Sequence, residues 1–317
     1  MGAIPSLLNA ALAATAPFSP EETQALLQEP IVIVSAPRSG SNLLFELMSR
    51  IPGFWNIGGE SHAVFGAFPH LRAENAALDS GRLDRSHADA ATCHGVRACF
   101  LFLVKDHRGI PYLRLAPAER PRSIRLLEKT PRNALNIPFL LEVFPDARFI
   151  FLHRDARENV ASIIEAWKVG LESGRFVTFR DLAGWNRPAW CFLLPPGWRS
   201  MIGKPLADIA AFQWTSSNDI ILDHLTRLPT ARWHCVSYAQ LVADPVETLL
   251  HLSRFGGLSV THAQLPAGPL RLSRTALKPP DPQKWKRHEQ ALRALTPALD
   301  DVEARIRRVC AGDQVLR

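Results

Sequence analysis

Ile31-Val32-Ile33-Val34-Ser35-Ala36-Pro37-Arg38-Ser39-Gly40-Ser41-Asn42-Leu43-Leu44 is the stretch on which the fold turns. Its four β-branched residues suit a strand buried on both faces. Small residues and Pro37 then turn the chain, and Leu43, Leu44 and Leu47 share one helical face, which predicts a helix over 39–49. So short a turn leaves the first helical N–H groups unpaired at the positive end of the macrodipole. That is an anion site. Gly40 permits close backbone approach, Ser41 and Asn42 add donors, and Arg38 adds a fixed positive charge. The turn is not a Walker A loop, which needs G-x-x-x-x-G-K-[ST]; here the first glycine and the lysine after Gly40 are missing. A plain helix start beside an incidental arginine is the alternative reading.

Working outward, the same unit recurs. Residues 123–128 precede a helical pattern near 134–143, 148–153 lead into one over 155–168, and 232–237 into one over 240–254. Apolar strands separated by helices predict an α/β fold, a P-loop-like parallel sheet covered by helices on both faces. We expect a single domain over 1–317, with its nucleotide-binding core at about 31–286. Two stretches interrupt the alternation. Residues 170–205 carry Trp185, Trp190 and Trp198 among glycines and prolines and read as an irregular Trp-rich insertion, either a lid or a structural loop. Residues 262–286 are Pro-rich and basic and lead into a helix over 287–309.

Composition narrows the class. With 317 residues, 47% hydrophobic and 21% charged, the chain is an ordinary globular one, which excludes disorder, collagen and coiled coil. Its 37 Lys+Arg against 30 Asp+Glu give +7, an excess that fits an anionic partner. Dispersed cations without an RNA-recognition, KH or zinc-finger signature argue against nucleic acid. The five cysteines form an odd set with no C-x-x-C pair, so buried thiols in a reducing compartment are expected. No apolar run nears the roughly 20 residues of a membrane span. The N-terminus is apolar and Ala-rich, but no Lys or Arg precedes Arg38, so the basic start of a signal peptide is missing and a cytoplasmic location is expected. Gly2 sits in a loose myristoylation pattern. Nothing in the sequence sets the oligomeric state.

Three further segments carry chemistry. In Phe149 to Ser162, Arg154 stands at the end of a strand and Ser162 two turns into the next helix, converging on one phosphate; Asp155 with Glu158 resembles a capping box. Gly58-Gly59-Glu60-Ser61-His62 follows the first helix and offers two rival bases, Glu60 and His62. Glu128-Lys129-Thr130-Pro131-Arg132 ends a strand and opens a helix, with Pro131 suited to its first turn.

Taken in order, these segments resemble the sulfotransferases that use 3′-phosphoadenylyl sulfate (PAPS), nearest in motif order to the tyrosylprotein, glycosaminoglycan and bacterial branches. Pro37-Arg38-Ser39-Gly40-Ser41 matches the 5′-phosphosulfate loop P-[RK]-[SA]-G-[ST]-[TS], with Asn42 replacing the second hydroxyl. The segment from Arg154 matches R-D-x-R-x-x-x-x-S, the 3′-phosphate motif. The resemblance implies that Arg38, Ser39, Gly40, Ser41, Asn42, Arg154 and Ser162 bind PAPS or its product PAP, that Glu60 is the base, and that Lys129 and Arg38 stabilise the leaving group. Tyr238, in a stretch similar to Y-E-x-L-x-x-x-P, is placed near the nucleotide; a half-buried core tyrosine is its alternative role. Lys284, in the basic segment with Ser273, Arg274 and Lys278, is the candidate to close over the 3′-phosphate, though a solvated lysine reads equally. Lys105, in Val104-Lys105-Asp106-His107, is a rival to Lys129.

The implied reaction is sulfuryl transfer to an acceptor hydroxyl with no metal required. The Trp-rich insertion suggests an apolar wall of Trp190 and Trp198, and hence a small-molecule, lipid or natural-product acceptor. The alternatives are a small-molecule kinase with a degenerate phosphate loop and a non-catalytic nucleotide- or nucleic-acid-binding protein.

Overall fold

The computed structural model describes residues 6–72, 79–266, 268, 270, 272–274, 276–277, 281 and 283–315, the side chains of 313–315 excepted. Helices α1 (Leu7–Thr15) and α2 (Pro20–Leu26) precede strand β1 (Ile31–Val34) and helix α3 (Ser41–Met48). Strand β2 (Phe54–Trp55), helices α4 (His62–Gly66) and α5 (Ala90–Leu103), strand β3 (Arg125–Lys129) and helix α6 (Ile137–Val143) follow. Strand β4 (Arg148–His153) and helix α7 (Ala156–Ser173) lead to strands β5 (Val177–Arg180) and β6 (Ala189–Cys191) and helix α8 (Leu206–Leu225). Strand β7 (Trp233–Ser237) and helices α9 (Tyr238–Ala243), α10 (Pro245–Phe255), α11 (Glu289–Arg293) and α12 (Thr296–Val315) complete the order.

Among the described residues the central sheet has five strands in the order β2-β3-β1-β4-β7, every neighbouring pair parallel. Alternate residues of each strand feed opposite faces. Ile31, Ile33, Leu127, Ile150 and Leu152 join α3 and α10 in one apolar cluster, while Val32, Val34, Leu126, Phe149 and Phe151 join α5, α6, α7 and α8 in another. The α/β fold with helices on both faces is as the patterning predicts. After β1 the chain first builds β2 and β3 on one side, then crosses to β4 on the other. Such a reversal opens a crevice at the carboxyl ends of the strands. The segments after β1, β2, β4 and β7, which carry Arg38, Glu60, Arg154 and Tyr238, leave the sheet at that end.

Where the predicted helices differ, proline or a cap decides. The pattern over 240–254 breaks at Asp244-Pro245: Asp244 Oδ1 accepts from Glu247 N–H at 3.1 Å, and Pro245 opens α10. The one near 134–143 starts as a 3₁₀ turn at Pro131–Leu135 before α6. The apolar N-terminal stretch folds as α1, capped by Ser6 and packed on α5 through the buried Ala11; Gly2 lies outside the described residues. The expectation of five thiols is corrected. Cys235 of β7 and Cys310 of α12 are joined in a disulfide, leaving Cys93, Cys99 and Cys191 as buried thiols. With the two cysteines separated by 75 positions in the sequence, no local spacing marked the pair. Among the described residues no helix is long and apolar enough to cross a membrane.

The insertion is ordered rather than irregular. β5 and β6 pair as an antiparallel hairpin, and Trp167, Trp185, Trp190 and Trp198 pack edge-on or tilted at 4.8–6.4 Å between centroids. Each indole N–H finds an acceptor, on Gln213, Ala189, Leu193 and Asp79 respectively.

Candidate active site

The turn after β1 is built to leave a helix start open. Gly40, the N-cap of α3, has φ +99°, and no side chain caps the helix. A side chain at this position would run into the Tyr238 ring as well as strain the backbone. Arg38 is itself left-handed at φ +66°, a costly conformation outside glycine. Ser39 turns inward: its hydroxyl donates to Asn159 Oδ1 at 2.7 Å, with the Ala36 carbonyl at 2.9 Å, and Asn159 Nδ2 donates to the Pro37 carbonyl at 2.7 Å. Asn159 lies fully buried on α7, so the second strand–turn–helix unit braces the first.

The second unit is closed. Asp155 caps α7 by accepting from Glu158 N–H at 2.9 Å. The predicted capping box is only half formed, because the Glu158 carboxylate turns to Arg154 instead, accepting from Nε at 3.0 Å and Nη2 at 2.8 Å. The Arg154 guanidinium lies 4.6 Å over the Tyr238 ring, so Tyr238 bridges the two units. Lys284 pairs with Glu165 at 3.2 Å, and His288 holds the other oxygen of that carboxylate at 3.2 Å. Burial first, then the charges of Arg175 and Arg154, pull the Arg38 guanidinium down to about 10, still a cation at neutral pH.

Between the units lies a third charged cluster. Lys129, 2% exposed, is surrounded by the phosphate turn and the Gly-Glu loop: its ammonium donates to Asn42 Oδ1 and to Glu60 Oε1, the latter at 2.6 Å. Glu60 Oε2 lies 2.9 Å from His62 Nε2. Burial pushes the Glu60 carboxyl up, but the His62 hydrogen bond and the Lys129 charge outweigh it and hold the group at about 2. That is lower than a carboxylate base near neutral pH requires. Lys105 does not enter the cavity; it covers Gly58 from behind.

One cavity of about 590 Å³ joins these parts, lined by Arg38, Gly40, Ser41, Asn42, Glu60 and His62 and by Arg154, Ser162, Tyr238 and Lys284. The sequence of the chain matches the sulfotransferase family over residues 30–262. The chain belongs to the sulfotransferase family. Among solved structures, this sulfotransferase is similar to STF9 of Mycobacterium avium (14% identity, 96% of this chain and 83% of that one, TM-score 0.49). It is also similar to the sulfotransferase domain of the Synechococcus PCC 7002 olefin synthase (20% identity, 82% and 84%, TM-score 0.44). A third is mouse SULT7A1 complexed with PAP (13% identity, 82% and 66%, TM-score 0.36). No curated protein matches it in sequence.

Most residues singled out in the sequence of the sulfotransferase thus meet in one cavity. Ser39 and Lys129 stand behind its wall, the first bracing the turn and the second between Asn42 and Glu60. Lys278 lies outside the described residues. Trp190 and Trp198 do not line the cavity; they are buried in the core of the insertion. Its cavity face belongs to Phe176 and Phe192, whose rings stack at 5.4 Å and 31°. Both have left-handed backbones, φ +69° and +65°, and the Arg38 guanidinium lies 5.0 Å from the Phe176 ring. Asn159 and these phenylalanines escaped the sequence reading, which took Glu158 for a capping-box residue; its i, i+4 spacing from Arg154 carried the signal of the pair that it makes instead.

Proposed function

We propose that this sulfotransferase transfers the sulfuryl group of PAPS to a hydroxyl on an acceptor with an apolar body, a small molecule, lipid or natural product. The observation that carries the reading is one cavity lined by the Arg38 and Arg154 guanidiniums, the Lys284 ammonium and the uncapped helix start at Gly40. Several cations on one cavity favour a multiply charged anion. The open helix start at Gly40 supports the 5′ end of the donor there, and Arg154, Ser162, Tyr238 and Lys284 support the 3′-phosphate end.

PAPS, when bound, supplies an activated sulfuryl group on a phosphate leaving group. Lys129, already directed to Asn42 of the turn, is the cation that neutralises charge growing on that phosphate, with Arg38 beside it. A phosphate next to Asn42 gives the Lys129 ammonium a second anion to satisfy. Its hold on Glu60 then weakens and the carboxyl rises toward a useful basicity, so Glu60 takes the acceptor proton at Oε1 while His62 keeps Oε2 oriented. Phe176 and Phe192 form the apolar acceptor wall beside this centre.

The test is PAPS turnover in EDTA with 2-naphthol, 1-octanol and methyl glucoside. The reading expects turnover of the two apolar alcohols and little of the sugar; the reverse preference contradicts the acceptor class, and no PAPS turnover with any of the three contradicts the reaction. Glu60→Gln is expected to lower turnover by roughly 10²–10⁴-fold with PAP affinity kept.

A further inference from the structure

We propose that Glu128 is a positioning residue of the reaction, holding Ser61 and thereby fixing the aim of Glu60 and His62 on either side of it. The inference rests on the functional reading above, since it takes that pair as the groups that handle the acceptor proton.

Three consecutive residues at the end of β3 hold two consecutive residues of the loop after β2. Glu128 Oε1 accepts from the Ser61 hydroxyl at 2.6 Å, Lys129 pairs with Glu60 at 2.6 Å, and Thr130 Oγ1 accepts the Ser61 backbone N–H at 2.7 Å. The Ser61 and Thr130 hydroxyl oxygens also lie 2.9 Å apart. Ser61 is fully buried, while Glu60 and His62 both line the cavity. The loop is therefore pinned at its centre, with its two functional side chains turned out from the pin.

Glu128 is an unusual group to find there. It is 1% exposed, and its hydrogen-bonding partners on Oε1 are neutral, the Ser61 hydroxyl and Asn133 Nδ2 at 3.0 Å. Its Oε2 is buried with no hydrogen-bond partner among the described residues. The nearby Lys129 ammonium is directed at Glu60 and Asn42. Burial pushes the Glu128 carboxyl up, against the smaller pull of these hydrogen bonds and of Lys129. A carboxyl oxygen that accepts from Ser61 is all that this arrangement asks, and glutamine has the same shape and an accepting oxygen in the same place. An apolar side chain would leave the buried Ser61 hydroxyl without its acceptor and the loop without its pin.

The test compares Glu128→Gln, Glu128→Leu, Ser61→Ala and the Glu128→Leu/Ser61→Ala pair, with PAPS and whichever acceptor of the panel turns over fastest. Glu128→Gln is expected to keep kcat within about threefold. Glu128→Leu should lower kcat at least about tenfold with the Kd for PAP within twofold. The acid limb of its kcat/KM profile for PAPS, which reports the free enzyme, should move to higher pH, because Glu60 is no longer held against Lys129. Ser61→Ala should show the same loss, and the double variant no further loss, since both changes remove one interaction. Three results overturn the proposal: a glutamine variant as impaired as the leucine one, full kcat in Glu128→Leu or Ser61→Ala, or PAP affinity falling in step with kcat. If Glu128→Leu fails to fold, Ser61→Ala against Glu128→Gln decides by the same criteria. A wild-type protein that turns over no acceptor overturns the functional reading itself, and this inference with it.

Discussion

The two strand–turn–helix units that flank the cavity share a plan and differ at the helix start. After β1, helix α3 begins at a left-handed glycine with no side-chain cap, so its first N–H groups face the cavity. After β4, helix α7 is capped by Asp155, and the cations beside it are already paired, Arg154 with Glu158 and Lys284 with Glu165. One unit offers backbone and the other offers side chains. A backbone cradle has no residue to trade and fails through its conformation. A side-chain cradle can be dismantled one charge at a time.

That contrast orders the expected effects. Gly40→Val, which forces a β-branched residue into φ +99° against the Tyr238 ring, should weaken PAP binding by at least about a hundredfold, read by calorimetry. A loss of less than tenfold would mean that the helix start is not the cradle. Arg154→Ala should cost about 10–100-fold for PAP, through loss of a charge-assisted contact, while binding of 5′-AMP, which lacks the 3′-phosphate, stays nearly constant. Equal losses for both nucleotides would break the division of labour. Glu158→Gln should tighten PAP by about threefold, because a carboxylate near the 3′-phosphate repels it while the Tyr238 ring still carries the Arg154 guanidinium. A weakening would show that the ion pair orients Arg154 more than it opposes the ligand.

The Lys129–Glu60 pair between the units gives the smallest effect, one of pH. The Glu60 carboxyl is depressed from 4.5 to about 2, so its share of stability is present above 4.5 and is lost as pH falls toward 2. The stability difference between wild type and Glu60→Gln in chemical denaturation should therefore shrink over that window. A difference that does not change with pH would mean that Lys129 and His62 do not hold the carboxylate in solution.

Both strand–turn–helix units were legible in the sequence because each is contiguous, the helix opening directly after the strand and its turn, and hydrophobic periodicity sets which side faces the core. What ties them together was not legible. Ser39 and Asn159 are 120 residues apart, and Lys129 reaches Glu60 across 69. Such pairings depend on the order of strands in the sheet, which periodicity does not encode. The insertion was misread for a related reason. Three tryptophans announce burial, but which aromatic ring meets the cavity depends on the left-handed backbones of Phe176 and Phe192, and composition is blind to φ. Glu158 shows the limit from the other side: its spacing fitted both a capping box and an i, i+4 ion pair, and the guanidinium won over the N-cap backbone.

The claim on which the rest depends is that both cradles grip the same nucleotide. Titration calorimetry of PAP and of 5′-AMP into the wild-type protein tests it most directly. The account predicts one site per chain for PAP, bound at least about tenfold more tightly than 5′-AMP, with that preference lost in Arg154→Ala. No heat with PAP, or equal affinity for the two nucleotides in the wild-type protein, would contradict it.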